Sequence, residues 1–116
     1  ENSEPCRKFQ KVLENAVPFG ITPQIFQEVL QGAKSTNEFN KLHRYLASQI
    51  FFQPKHSVES YTQAAKIYFD CRKKGITIRS TIDCLIAQIT IEHNLALLHN
   101  DYDFEAIATV IPLKQF

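Results

Sequence analysis

The 116-residue sequence has little of what marks several common classes of site. Its three cysteines are far apart and form no C-x-x-C pair, which argues against a zinc site, a redox motif or a disulfide framework and favours reduced thiols. Its three glycines form no G-x-S-x-G, P-loop or G-x-G-x-x-G motif, so hydrolase triads, nucleotide kinases and dinucleotide enzymes have no support. The four histidines lack H-x-x-x-H spacing, so no histidine metal site is expected.

Long apolar runs and a strong net charge are also absent. No run approaches the roughly 20 apolar residues that a membrane helix needs, so no membrane partner is predicted. The formal net charge is +1, and any contact with nucleic acid must therefore be local. Methionine is missing and the sequence begins with Glu1, so we expect a segment to precede it in the nascent protein. The length suits a single domain over residues 1–116.

Predicted helices alternate with short apolar segments along the chain. The apolar segments, at 18–22, 49–54 and 95–99, are predicted as strands, and the continuous apolar run at 95–99 is typical of a parallel strand buried on both faces. Alternation of this kind predicts an α/β fold with a mostly parallel central sheet flanked by helices. Ligands in such folds gather beyond the carboxyl ends of strands, which here means after Thr22 and after His99. Six helices are predicted. Three cover 4–16, 36–49 and 103–110. Of the other three, one starts at Thr22-Pro23, one starts at Ser57 and ends before Gly75, and one runs from Ser80 through Ile89.

Four acidic residues are candidates for a site, and each has a simpler interpretation. Glu28 lies on the glutamine-rich face of its helix, where a solvated side chain is common. Asp83 completes the pattern Ser-Thr-Ile-Asp, which matches a capping box. Asp101 and Asp103 can each cap the last helix, although their position after a buried strand also favours a binding site.

A basic cluster follows the long helix that begins at Ser57. Arg72, Lys73 and Lys74 are consecutive, and Arg79 is close behind them. Cations here can compensate the helix C-terminus, or they can contact phosphates, and the sequence favours neither interpretation.

Two segments, taken in order and with their spacing, resemble PIN-domain ribonucleases, and most closely the VapC-type toxins of bacterial type II toxin–antitoxin systems. They are "ITPQIFQEVLQGA" (21–33) and "GITIRSTIDCLIAQITIEHNLALLHNDYDFEAIA" (75–108). The resemblance implies a three-layer PIN-like fold and a metal-dependent endoribonuclease that hydrolyses RNA. It also implies a cytoplasmic bacterial protein, a cognate antitoxin as partner, and a homodimer.

The resemblance also implies a ligand set for Mg²⁺ or Mn²⁺. By position, Glu28 matches the acid of the family's "E-L/V-L-x-G" helix, Asp83 that of "I-D-x-L-I-A", and Asp101 the acid just after the fourth strand. Asp103 adjoins it in the "D-F" element, as a further ligand or a cap. These oxygen ligands suit a hard dication. The residues expected to contact RNA are Arg72, Lys73, Lys74, Thr77, Arg79 and Ser80.

The sequence departs from the family at its start. PIN domains begin with a strand that ends in an aspartate in a "V/L-D-T/S" context, and this chain contains no such motif. We therefore expect the N-terminal strand to be absent. One alternative is a truncated, inactive PIN module that binds an antitoxin or a second copy of itself. A signalling receiver would also place aspartates after strands, but Lys114 is a poor match for the lysine that such a protein needs.

Overall fold

The computed structural model describes residues 20–97 and 102–115. The chain divides into two compact units, of which one is Pro18–Gln53 and the other includes Pro54–Phe116. Over the described residues, none of the helices is long and apolar enough to cross a membrane.

The Pro18–Gln53 unit contains a pair of parallel strands and the two helices that connect them. Strand β1 is Gly20–Ile21 and strand β2 is Ile50–Phe51, with Gly20 opposite Ile50. Helices α1 (Pro23–Gln31) and α2 (Thr36–Leu46) form the crossover that a parallel pair requires. A side chain cannot fit at Gly20, because a Cβ atom there would lie 2.6 Å from the Ile50 carbonyl oxygen.

Helix α1 begins where the sequence predicts. The backbone of Thr22 is extended, and its Oγ1 accepts a hydrogen bond from the Ile25 N–H at 3.3 Å. Pro23 follows in the first turn, where its missing N–H is not needed. A cap of this kind contributes about 1 kcal/mol.

The second unit is built on two long helices, α3 (Val58–Lys73) and α4 (Thr81–Glu92). Strand β3 (Ala96–Leu97) follows, then helix α5 (Tyr102–Ala108) and strand β4 (Lys114–Gln115), which pairs in parallel with β3. Helix α4 packs against α3, α5 and β3. Its sequence is apolar on most sides, which is typical of a buried helix. The largest fully buried side chains are those of Ile89, Ile107, Cys71, Cys84 and Ser60.

Helix α3 ends at the predicted glycine. Gly75 has φ of +78°, a left-handed conformation that glycine adopts without steric cost. The Gly75 N–H donates to the Arg72 carbonyl at 3.0 Å and the Ile76 N–H donates to the Cys71 carbonyl at 2.9 Å. The last carbonyls of the helix are thereby satisfied and the chain turns toward α4.

The α/β class, with short parallel strands and flanking helices, is confirmed. Several details differ. The described strands form two separate parallel pairs, not one visible sheet. Ala96 is exposed, so the predicted strand at 95–99 is not buried on both faces there. The last helix covers Tyr102–Ala108, which places Asp103 inside it and makes the N-cap prediction for Asp103 wrong. The predicted helix at 4–16 lies outside the described residues, and the single-domain prediction stays a prediction.

Candidate active site

Asp83 lies in the first turn of α4, where a buried helix reaches the surface. Ser80 is the N-cap with an extended backbone, and its carbonyl accepts the Asp83 N–H at 3.1 Å. Within the described part of the chain, the Ser80 side chain makes no capping hydrogen bond. The predicted capping box therefore lacks its serine half. The next four residues, Cys84 to Ala87, are buried and hold this turn in place.

Asp103 is almost completely buried, with 3% of its surface exposed, at the start of α5. Its Oδ2 accepts a hydrogen bond from the Arg79 backbone N–H at 3.1 Å and faces the Arg79 Nε at 3.4 Å. The carboxylate thus ties the start of α5 to the segment that leads into α4. The sequence predicts a role for each residue but not their pairing, since the two are 24 positions apart.

The thiol of Cys84, the residue after Asp83 in α4, is buried. The pKa of Cys84 is raised to about 11, chiefly by burial and then by the neighbouring Cys71, Asp83 and Asp103. The Asp103 carboxylate holds Arg79, and the next residue, Ser80, is the N-cap of α4. The fold therefore brings Asp103 and Arg79 to the start of the helix that carries Asp83 in its first turn.

The other two predicted acids, Glu28 and Asp101, lie outside the described part of the second unit. Glu28 is an exposed residue of α1, in the Pro18–Gln53 unit. Asp101 lies outside the described residues. Over the ranges 20–97 and 102–115, no group of three His, Cys, Asp or Glu side chains is placed to hold a metal ion.

The basic cluster lies at the exposed end of α3, beside two aromatic rings. The guanidinium carbon of Arg72 is 5.6 Å from the centre of the Tyr68 ring, and the Lys73 Nζ is 5.5 Å from that of Phe69. Lys74 follows as the C-cap residue. The aromatic partners were not predicted from the sequence, although each ring lies four residues before its cation, and this spacing was a usable signal. The other residues expected to contact RNA are Thr77, which is exposed, and Ser80, which is partly buried.

The donor chemistry fits a hard dication at Asp83 better than at Asp103. Mg²⁺ takes oxygen ligands and keeps several of its waters, so a ligand needs room beside it. Asp83 is partly exposed, which leaves such room. The Asp103 carboxylate is buried and its Oδ2 already receives two N–H groups.

An α/β fold with short parallel strands and an aspartate in the first turn of a buried helix suits a PIN-domain protein. The chain belongs to the PIN-domain family, which matches residues 1–110. It is 33% identical over 101 residues to ribonuclease VapC11 of Mycobacterium tuberculosis and to VapC ribonuclease Mb1587 of Mycobacterium bovis. Each match covers 87% of this chain and 75% of the relative. The predicted resemblance is confirmed, and the chain is a homologue of VapC ribonucleases, the toxins of type II toxin–antitoxin systems.

Proposed function

We propose that this chain is a metal-dependent endoribonuclease toxin that hydrolyses RNA phosphodiester bonds. One observation carries the proposal: the Asp103 carboxylate holds Arg79 directly before the N-cap of α4, the helix that carries Asp83 in its first turn. Carboxylates beside a cation suit a site that takes both a dication and a phosphate. Homology to VapC ribonucleases supports this interpretation over other acidic sites.

The proposed metal ligands are Glu28, Asp83 and Asp101, with Mg²⁺ or Mn²⁺ as the ion. The dication, when bound, would activate a water molecule and neutralise charge at the scissile phosphate. The fixed first turn of α4 supports the role of Asp83, because a buried helix holds a ligand with little freedom. Asp103 was also expected at the metal, but its two hydrogen bonds with Arg79 support a different role.

The proposed RNA contacts are the exposed cations at the end of α3 and the segment that follows it. Arg72 and Lys73 lie beside aromatic rings, so phosphate contact and base stacking are available on one surface. Lys74, Thr77, Arg79 and Ser80 extend this surface toward Asp83 along the chain. The phosphate interpretation of the basic cluster is therefore preferred to simple compensation of the helix terminus.

The proposed protein partners are a cognate antitoxin and a second copy of the chain, in the bacterial cytoplasm. A groove of about 400 Å³ between α3 and α4 supports the proposal of an antitoxin partner. Its lining includes Thr81 and the two residues on either side of Asp83, Ile82 and Cys84, so a segment seated in it would hinder access to that acid. Tyr61 and Ile82 expose apolar surface at the groove, which suits a protein ligand.

Cleavage of a synthetic RNA in Mg²⁺, in Mn²⁺ and in EDTA tests the proposal. We expect cleavage only with a dication, and a rate at least about tenfold lower for Asp83→Asn. Glu59→Gln is the matched control, because Glu59 is an exposed acid at the start of α3, where its side chain accepts a hydrogen bond from Gln63 at 2.7 Å. We expect this control to cleave RNA within about twofold of the wild-type rate.

Cleavage that persists in EDTA, or an Asp83→Asn variant as fast as the control, would overturn the metal-dependent mechanism. The binding-module alternative predicts a different result. In that case the purified chain would cleave no RNA under any of these conditions. Light scattering would nevertheless show that it dimerises or binds the antitoxin.

A further inference from the structure

The segment between α3 and α4 is held at two neighbouring positions. Ile78 is buried, with 3% of its surface exposed, and so anchors the segment in the core. Arg79, the next residue, is held by the Asp103 carboxylate through its backbone N–H and its Nε. Because one contact is to the backbone and the other to the side chain, the carboxylate controls both the path of the chain and the direction in which Arg79 leaves it.

The two partners of this ion pair differ sharply in exposure. The Asp103 side chain is 4% exposed, whereas that of Arg79 is 73% exposed. Burying a carboxylate without a hydrogen-bond partner costs free energy. Asp103 is therefore expected to retain its contacts with the Arg79 N–H groups. The arginine, by contrast, extends from a buried anchor into solvent. Such an arrangement restricts a long cationic side chain that would otherwise sample many rotamers.

One carboxylate oxygen of Asp103 already accepts hydrogen bonds from Arg79. An oxygen that accepts two N–H groups in a buried position leaves little room for an ion that retains several waters. Asp83 is more exposed and lies in the first turn of α4, whose N-cap, Ser80, directly follows Arg79. The two aspartates are thus suited to different tasks.

We propose that Asp103 is a positioning residue that holds Arg79, so that the arginine guanidinium contacts a phosphate of bound RNA beside Asp83. This inference rests on the proposed ribonuclease function. Arginine suits the task because its planar fork can face a carboxylate and an anion with different N–H groups. Restricting it in advance lowers the entropy lost when RNA binds.

The first test is a double-mutant cycle on RNA binding. Asp103→Asn, Arg79→Gln and the double variant are titrated with a labelled RNA oligonucleotide in EDTA, with fluorescence anisotropy as the readout. We expect each single variant to bind about three- to tenfold more weakly and the double variant no more weakly than Arg79→Gln, because Asp103 acts through Arg79. Glu105→Gln, an exposed residue of the same helix, is the matched control and is expected to bind as the wild type does.

The second test separates positioning from metal ligation. Binding of Mn²⁺ is measured by electron paramagnetic resonance, without RNA. We expect Asp103→Asn to bind Mn²⁺ within about twofold of the wild type and Asp83→Asn to bind it at least about tenfold more weakly. Equal losses for the two variants would make Asp103 a ligand and overturn the inference, and so would independent, additive losses of RNA affinity in the cycle.

Two further outcomes keep the inference falsifiable. If Asp103→Asn fails to fold, Arg79→Gln remains informative, because its side chain is exposed, and unchanged RNA affinity in that variant would overturn the inference. Failure of the proposed function has its own signature, which is a wild-type chain that neither cleaves RNA nor binds Mn²⁺. The coupling between Arg79 and Asp103 is measured in EDTA and does not depend on that result.

Discussion

The Oγ of Ser60 donates a hydrogen bond of 2.6 Å to the Oε2 of Glu92, which joins the start of α3 to the end of α4. The same carboxylate accepts the Gln88 Nε2 at 2.9 Å and the Lys55 backbone N–H at 2.8 Å. Ser60 is fully buried and also accepts the His56 backbone N–H at 3.0 Å. One acidic side chain therefore fixes the chain entering α3 against the last turn of α4.

This cluster predicts how stability depends on acid pH. Burial is the largest single influence on the pKa of Glu92 and raises it. Together, however, the other influences outweigh burial and bring the pKa below the ordinary 4.5; they are the hydrogen bonds from Ser60, Gln88 and Lys55 and the charge of His56. A lowered pKa in the folded state means that the contribution is complete above 4.5 and is lost as pH falls through the folded pKa. We expect Glu92→Gln to lower the free energy of unfolding at pH 7 by about 1–2 kcal/mol, as measured by urea denaturation.

The difference between wild type and Glu92→Gln should shrink below pH 4.5, where the wild-type carboxylate takes up its proton. Glu59→Gln is the control, since the exposed hydrogen bond that Glu59 accepts from Gln63 is worth a few tenths of a kcal/mol. A Glu92→Gln difference that stays constant from pH 7 to pH 3 would contradict this assignment.

Two glycines at helix ends should respond to alanine in opposite directions. Gly75→Ala places a side chain at φ of +78° and is expected to lower the free energy of unfolding by about 1 kcal/mol. Gly32 has φ of −82°, and a Cβ atom there would meet nothing nearer than 3.6 Å. Gly32→Ala is therefore expected to be neutral or to stabilise the protein by up to about 1 kcal/mol. Thermal and urea unfolding measure both changes, and equal effects would refute the conformational argument.

The two buried thiols should resist alkylation in the folded protein. Burial is the first cause of the raised pKa of both Cys71 and Cys84, and for Cys84 the pKa reaches about 11. Only roughly one Cys84 thiol in a thousand is then ionised at pH 8, and the thiolate is the reactive form. In a Cys6→Ser variant, we expect iodoacetamide to label neither residue in buffer and both in urea. Rapid labelling in buffer would show that the core between α3 and α4 opens readily.

The end of α3 should control the salt dependence of RNA binding. If Arg72 and Lys73 each contact a phosphate, replacing both with glutamine weakens binding and lowers the salt slope by about 1 for each contact. Lys41→Gln, an exposed cation of α2, is the charge control. If the two cations only compensate the helix terminus, the double variant instead loses a few tenths of a kcal/mol of stability and keeps the wild-type salt slope.

Local chemistry made much of the fold predictable. Thr22-Pro23 and Gly75 act through their own backbone and near neighbours, so the helix ends that they mark were predicted from sequence. The family resemblance, which rested on short motifs and their order, was confirmed as well. The capping box at Ser80 was predicted in the same way and lacks its serine hydrogen bond over the described residues, because hydroxyl orientation responds to surroundings that a motif does not specify.

Contacts between distant residues were not predictable. Nothing in the sequence pairs Asp103 with Arg79, or Glu92 with Ser60, because each pair depends on how α3, α4 and α5 pack. The sequence by itself determined the α/β class, the helix ends at Thr22 and Gly75 and the resemblance to a nuclease family, since these follow from periodicity, backbone conformation and local motifs. Only the tertiary structure decided that Asp103 is buried against an arginine while Asp83 stays partly exposed. Burial and charge pairing depend on the surfaces that packing brings together, and those surfaces come from distant parts of the chain.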